Sequence, residues 1–429
     1  MKKKTLLVYF IATFMLFSCS KKAAHKSIYG VVLEDDLKLR SNPAGKIIGK
    51  LKIGTKVVVI SRTKNKYNIG DRTNYWYKIK VKNGTVGWSF GDYIQIADGK
   101  SGNNNRFKLT AYNFFLYAAN MKGDSVSMYE IDAQGKLVLA GYAKAVYKPR
   151  KVVAHPFKNY VYVIDRLKLV SYKCMKNGRL YPVGAIQTGE GILDLRVHPE
   201  GNFLYATRLN PLINISTFKI QSDGRAKASG DILTNSKPRN IGFSPLGKKV
   251  YITDVHKNNK ILIFDFQLSG KLLDNGNFDI PGTKYTGKIA ISPDGKKLFY
   301  ADLRAGRILA YSLDKTKGYN KENELVSSGP PVNLIFDNEG NYLYILCSNN
   351  KIDIFKIDET GIKKSATVNT GKYPFEAVFH PGGKYFYVAL RDENKIAAYA
   401  VSENGNLTEI GSFASGKYPV SLALAKVRK

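Results

Sequence analysis

From Thr110 onward the chain repeats one arrangement of apolar and polar positions: a short apolar strand, a turn built on His/Ser/Asp-Pro-x-Gly, and an aromatic-rich strand closing near a tyrosine. The copies read TAYNFFLYA at Thr110, HPFKNYVYV at His155, HPEGNFLYA at His198, SPLGKKVYI at Ser244, SPDGKKLFY at Ser292, DNEGNYLYI at Asp337 and HPGGKYFYV at His380. Their starts lie 43 to 48 residues apart, the length of one four-stranded propeller blade. The fourth copy displays the whole unit as RNIGFSP, KKVYITD, NKILIFDF and KLLDNGNF. Each piece is alternating or continuous β-branched and aromatic sequence, bounded by Gly, Asn, Asp or Pro. No 3.6-residue period is sustained through residues 104–429, so the region is all-β and predicts seven blades.

One blade has two apolar faces and cannot bury both alone, so the blades must stack around an axis. The C-terminal phrase KYPVSLALAKV matches the start of a repeat, KYPFEAVFHP, and the chain stops after that single strand. Pro419 to Ala425 therefore predicts an innermost strand lent to the first blade, with residues 107–110 as the competing candidate for the same place.

The N-terminus reads differently. Lys2, Lys3 and Lys4 precede an apolar stretch, Thr5 to Phe17, and then Leu16-Phe17-Ser18-Cys19. This is the pattern of an export segment, too short for a stable membrane-spanning helix. A small residue before a lone cysteine, with leucine two places earlier, resembles the lipobox of bacterial lipoproteins. That resemblance implies a signal helix over 1–18, cleavage, and lipidation of Cys19, each buried acyl CH₂ adding about 0.8 kcal/mol of membrane affinity. The other cysteines, Cys174 and Cys347, fall in the second and sixth blades, too far apart to pair, and read as buried apolar side chains.

Polar stretches divide the rest. Residues 19–27 read as a tether and 98–105, DGKSGNNN from Asp98, as a linker. Between them, residues 28–97 resemble the bacterial SH3 family in LKLRSNP at Leu37, IGKLKIGTKVVVI at Ile48, YWYKIKV at Tyr75 and NGTVGWSFGDYI at Asn83. The resemblance implies a five- or six-stranded barrel of a kind that often binds cell-wall peptides or proteins. Tyr75, Trp76, Trp88 and Tyr93 are its large aromatics, and they either line a ligand groove or fill the core of a module with little else to bury.

The formal charge of +33 draws anionic partners, yet the lysines are spread over both modules and form no basic arm, so no specific nucleic-acid role follows. Propeller sites form where loops leading into innermost strands meet loops leaving second strands. Leading in are Arg150, Glu190, Arg239, Lys288, Asn333 and Glu376; leaving are Arg166, Arg208, Asp254, His256, Asp302, Arg304, Arg391 and Asp392. An arginine-ringed mouth suits a carboxylate or phosphate; the same residues equally suit ion pairs between neighbouring blades. The histidines of the His-Pro turns, His155, His198 and His380, fall at the opposite mouth and read as turn caps.

Phrases such as NIGFSPLGKKVYITD and AVFHPGGKYFYVALRD resemble the lactonase-type propeller family, which holds 6-phosphogluconolactonase-like enzymes and YVTN repeats, over residues 106–429. The resemblance implies a Pro-Arg-His phrase leading into a blade and an Asn-Glu-Leu phrase leaving a second strand. Here the nearest match is Pro238-Arg239-Asn240, and no Asn-Glu-Leu follows any second strand. Asn cannot take a proton from water near neutral pH.

The sequence thus reads as a lipid-anchored cell-envelope protein, outer membrane favoured, whose two modules bind or scaffold an anionic glycan, a cell-wall peptide or a protein. The ligand residues would be Arg150, Arg208, Arg239, Asp254, Arg304, Glu376 and Arg391. The alternative is a lactone or ester hydrolase with Arg239 steadying the oxyanion and His256 or Glu376 as base. No cofactor is implied: there is neither a phosphate-cradling Gly loop before a helix nor a zinc-spaced His/Cys set.

Overall fold

The structure is a computed structural model. It describes residues 28–97 apart from 33–36, 44, 52–54, 64, 66, 70–71, 83 and 91–93, and residues 112–429 apart from 145, 210–213, 235, 246, 256–258, 284–286 and 315–317. The signal segment with Cys19, the competing strand at 107–110, Tyr93 and His256 lie outside the described residues.

In the N-terminal module one seven-stranded antiparallel sheet runs in the order Ile47–Leu51, Leu37–Arg40, Val86–Phe90, Trp76–Val81, Lys56–Arg62, Ile28–Val32, Ile94–Ala97. The expected five or six strands become seven because the first and last segments pair with each other, Tyr29 opposite Ala97 and Val32 opposite Ile94. Leu37 and Leu39 alternate inward with Lys38 outward, joining Leu51, Val57, Ile79 and Ile94 in the core.

A two-stranded sheet, Tyr67–Ile69 with Arg72–Asn74, belongs to the same module, and the strands from Tyr112 onward form seven four-stranded antiparallel sheets, each in sequence order except the first. Blade 1 is made of Leu137–Ala143, Ser125–Ile131 and Tyr112–Asn120, completed on its inner edge by Pro419–Arg428. The register runs from Tyr112 opposite Arg428 to Ala119 opposite Ser421. The C-terminal strand therefore closes the ring as expected, three residues longer than its apolar pattern indicates.

Burial explains the sequence pattern of each blade. A second strand such as Phe203–Arg208 is buried on both faces, whereas the outermost strand of the same blade, Ala226–Ile232, is buried only at its start. Both faces of a second strand meet a neighbouring blade: Tyr162 and Ile164 of blade 2 share a core with Leu195 and Leu204 of blade 3. Continuous apolar runs mark strands sandwiched between blades, and polar strands mark the rim.

The His-Pro turns cap themselves. His155 Nδ1 accepts from the Phe157 and Lys158 N–H groups, and His380 Nδ1 from Gly382. Ser244, Ser292 and Asp337 accept instead from the N–H groups five residues on, of Lys249, Lys297 and Tyr342, across the turn. Gly201 and Gly247 close two of these turns at φ of 74° and 67°, and a Cβ on either would lie 2.6 Å from the histidine ring of the preceding blade. Glycine is required there by backbone and by packing alike. Neighbouring blades are also tied by tyrosine: the hydroxyls of Tyr117, Tyr205, Tyr344 and Tyr387 donate to the carbonyls of Gly178, Gly270, Gly405 and Gly135 in the next blade's outer hairpin. Cys174 and Cys347 are buried, free thiols in blades 2 and 6.

Candidate functional site

The innermost strands share one polar position, the fourth residue before the turn where a turn follows. Lys151, Asp194, Asn240, Lys288, Asn333, Glu376 and, in the closing strand, Ser421 occupy it in the seven blades. Strands this close to the axis bring these side chains together, and they form a polar belt around it. Lys151 reaches across blade 1 to place its ammonium 2.7 and 2.6 Å from the two carboxylate oxygens of Glu376, with the Ser421 hydroxyl 3.4 Å from the same group. Asp194 lies 3.8 Å from Lys151 Nζ and 3.3 Å from Arg196 Nε, and accepts from the Ile241 N–H of the next blade. The amides of Asn240 and Asn333 donate to the carbonyls of Gly287 and Phe375, each one blade onward.

Three cations, Lys151, Arg196 and Lys288, thus meet two carboxylates, Asp194 and Glu376. Burial pushes the Asp194 carboxyl up, but Arg196, Lys288 and Lys151 outweigh it and hold the group down at about 2. Burial, then the like charge of Lys151, lowers the Lys288 ammonium to about 8 against the opposing pull of Asp194 and Glu376. Among the described residues its side chain forms no hydrogen bond or ion pair. Among the described residues the belt's cations outnumber its carboxylates by one, and Lys288 is the cation that forms no ion pair, with Asp194 and Glu376 acting on it at longer range.

The arginines expected at the mouth differ in their surroundings. Arg150 and Arg304 are exposed. Arg391 lies over the Tyr373 ring at 3.5 Å and the Tyr418 ring at 4.7 Å and pairs with Asp392 at 2.8 Å. Arg208 is buried and Arg239 half-buried, each with an Nε that finds no hydrogen-bond partner among the described residues. Two lie near one another at the junction of blades 3 and 4, where the Thr207 hydroxyl donates to the Arg239 carbonyl. Asp254 is buried and accepts from the Lys237 N–H, so it shapes a loop instead of facing a ligand. Arg166 and Glu190 pair across the junction of blades 2 and 3 at 2.8 Å, as the ion-pair reading of these loops expects.

Two further expectations need correction. Glu376, a candidate base, is buried, and both its carboxylate oxygens are taken up by the Lys151 ammonium, so it does not stand open to a ligand in the mouth. In the N-terminal module Trp76 is buried at 6% exposure, so it belongs to the interior and not to a groove. Trp88 is half-buried, and Tyr75, also half-buried, stacks under the Arg62 guanidinium at 4.1 Å.

Loop reading overlooked Lys151, Asp194 and Arg196 because all three sit inside strands. The available signal was the repeat itself: stacked copies show one position that is polar in every blade and is followed each time by an apolar residue.

Comparison with known proteins agrees with this architecture. The profile described as lactonase, 7-bladed beta-propeller matches residues 106–287 and 286–428, and the bacterial SH3 domain profile matches residues 35–95. A 6-phosphogluconolactonase of Pectobacterium carotovorum subsp. carotovorum is 21% identical over 327 residues, covering 71% of this chain and 96% of its own. A putative 6-phosphogluconolactonase from Bacteroides uniformis is similar in structure with a TM-score of 0.64 at 20% identity, over 73% of this chain and 100% of its own. The periplasmic gluconolactonase of Pseudomonas aeruginosa gives 0.62 at 17% identity, over 73% and 99%. The solved structures share the fold, and the profile covers most of the chain: it belongs to the lactonase seven-bladed β-propeller family, with a bacterial SH3 domain ahead of the propeller.

Proposed function

We propose that the axial mouth binds a carboxylate- or phosphate-bearing ligand, such as an anionic glycan, peptide or protein surface, on a protein held at the bacterial cell envelope by lipid on Cys19. The observation that carries the binding reading is Lys288, the cation left without a close counter-ion in a belt whose other charges are paired. An anion arriving there replaces lost hydration with a full opposite charge in a low-dielectric setting. Asn240, where the family's motif has histidine, is engaged with Gly287, and Glu376 with Lys151, so the position-for-position base is missing. The envelope assignment rests on the Leu16-Phe17-Ser18-Cys19 motif. Calorimetric titration of the mature protein with gluconate and 6-phosphogluconate as carboxylate and phosphate probes tests the mouth. Lys288→Met is expected to weaken binding about tenfold or more, roughly 1.4 kcal/mol. No binding of either probe at low salt, or equal binding by the variant, overturns it.

One observation favours a second reading, lactone hydrolysis. An ammonium lowered to about 8 leaves a usable fraction of free amine near neutral pH. That amine would take a proton from water as its oxygen attacks the lactone carbonyl; the ring C–O bond breaks and the departing oxygen takes up the proton, giving the hydroxy acid. Turnover of a lactone panel would then rise with pH toward about 8 and vanish in Lys288→Met. Rates equal to the uncatalysed background end this reading.

A further inference from the structure

The outer hairpins of five blades close over a tight turn: Asp132, Met175, Gln221, Gln267 and Ser402 donate to the carbonyls of Lys136, Arg179, Arg225, Lys271 and Asn406. Blade 5 departs from this, its hairpin closing from the Ser312 N–H to the Asn320 carbonyl, four residues longer. The junction with blade 4 departs with it. At five junctions an aromatic ring of the second strand packs on the next hairpin's glycine, as Phe115 does on Gly178 and Tyr160 on Gly224. Blade 4 carries Lys249 at that position, turned to Asp265 at 2.9 Å, and Tyr251 makes no bond to Gly318. Tyr319 of the long hairpin stacks instead on Phe278 of blade 4, centroids 4.9 Å apart at 16°, both rings packing against the core that holds Tyr251 and Tyr311.

What remains is a groove of about 330 Å³ on the side of the ring, away from the axis. Tyr319, Tyr311, Pro281 and Leu309 give it an apolar wall, and Asp279 and Asn320 supply hydrogen-bonding groups. Its volume stands at the small end of the ~300–1,000 Å³ range of ligand pockets. Charge narrows the ligand. Arg307 is held by Asp302 at 3.2 Å and Glu324 at 3.0 Å, Lys321 by Glu324 at 3.1 Å, and Asp279 by Lys260 at 3.5 Å. Three cations meet three carboxylates, so the groove offers no surplus charge to an ion. An aromatic plane beside amide and carboxylate acceptors matches a ring with an apolar C–H face and a rim of hydroxyls.

We propose that the groove between blades 4 and 5 is a second binding site, for one or two rings of a neutral pyranose glycan, independent of the anion at the axial mouth. Saturation-transfer NMR and calorimetry on the mature protein with glucose, N-acetylglucosamine, maltose and cellobiose test this. At least one sugar is expected to bind, unaffected by raised salt and undisplaced by saturating gluconate. Tyr319→Ala and, should that variant fold poorly, Asp279→Asn on the exposed outer strand are each expected to weaken it about tenfold. Absence of binding by every sugar, displacement by gluconate, or unchanged affinity in both variants overturns the proposal.

Discussion

His155, Ser244, Ser292 and Asp337 perform one task with three chemistries, accepting turn N–H groups next to a proline or its counterpart. The histidine version brings a pH cost that the serine version lacks. Burial, followed by the nearby charge of Lys158, lowers the His155 imidazole from its ordinary 6.5 to about 4, and burial lowers His380 to about 4. Between pH 6.5 and 4 the unfolded chain therefore takes up protons that the native turn refuses, so stability falls as pH drops through that window and is unaffected above it. For fully buried His155 the loss reaches about 3 kcal/mol by pH 4. Urea unfolding at pH 7 and pH 4.5 should show His155→Ser with a smaller acid loss than the parent, whatever packing it gives up at both pH values; an identical loss contradicts the cap's titration. Turn capping was legible in the residues themselves, since a cap and the N–H groups it receives lie within one six-residue segment. Lys151 and Asp194 were not, because their meaning depends on partners 225 and 43 residues away in the chain, Glu376 and Lys151.

Strands of a blade differ by what covers them, and their hairpins by what the next blade leans on. Gly178 takes φ of 76°, and a Cβ there would meet the Phe115 ring at 2.2 Å. Gly276, in an outer strand, has φ of 89° with nothing within 4 Å. Gly276→Ala should cost only the backbone penalty, about 1–2 kcal/mol. Gly178→Ala adds overpacking against blade 1, for a total on the order of 3–4 kcal/mol. Equal midpoints for the two variants in urea would remove the packing role of the hairpin glycine. At this scale the alternation of apolar and polar residues identified most strands, and its failures are informative: the long hairpin of blade 5 and the extra pairing of Ile28–Val32 with Ile94–Ala97 both arise from contacts between distant segments.

Across the whole molecule, ring closure by Pro419–Arg428 joins the two ends of the propeller region in one sheet, a pairing of high sequence separation whose loop-closure entropy slows folding. The charge of +33 surrounds this assembly with a field that gathers anions generally and is screened by salt, whereas a shaped axial site retains affinity when screened. At the other end of the chain, Cys19→Ala is expected to abolish incorporation of labelled palmitate and to move the protein from the membrane pellet to the soluble fraction. Retention in the pellet without label would count against the lipid anchor.

By itself the sequence determined the number of blades, the turn chemistry and the strand that seals the ring, because each is written in a local pattern repeated at a fixed interval. Only the tertiary structure decided which charges meet. Of the loop arginines, Arg391 is taken up by Asp392 and two tyrosine rings, while one inconspicuous position in or beside each inner strand is gathered at the axis. Burial there raises the strength of every charge contact, so three-dimensional proximity, and not residue type, selects Lys288 as the unpaired cation and leaves Glu376 neutralised.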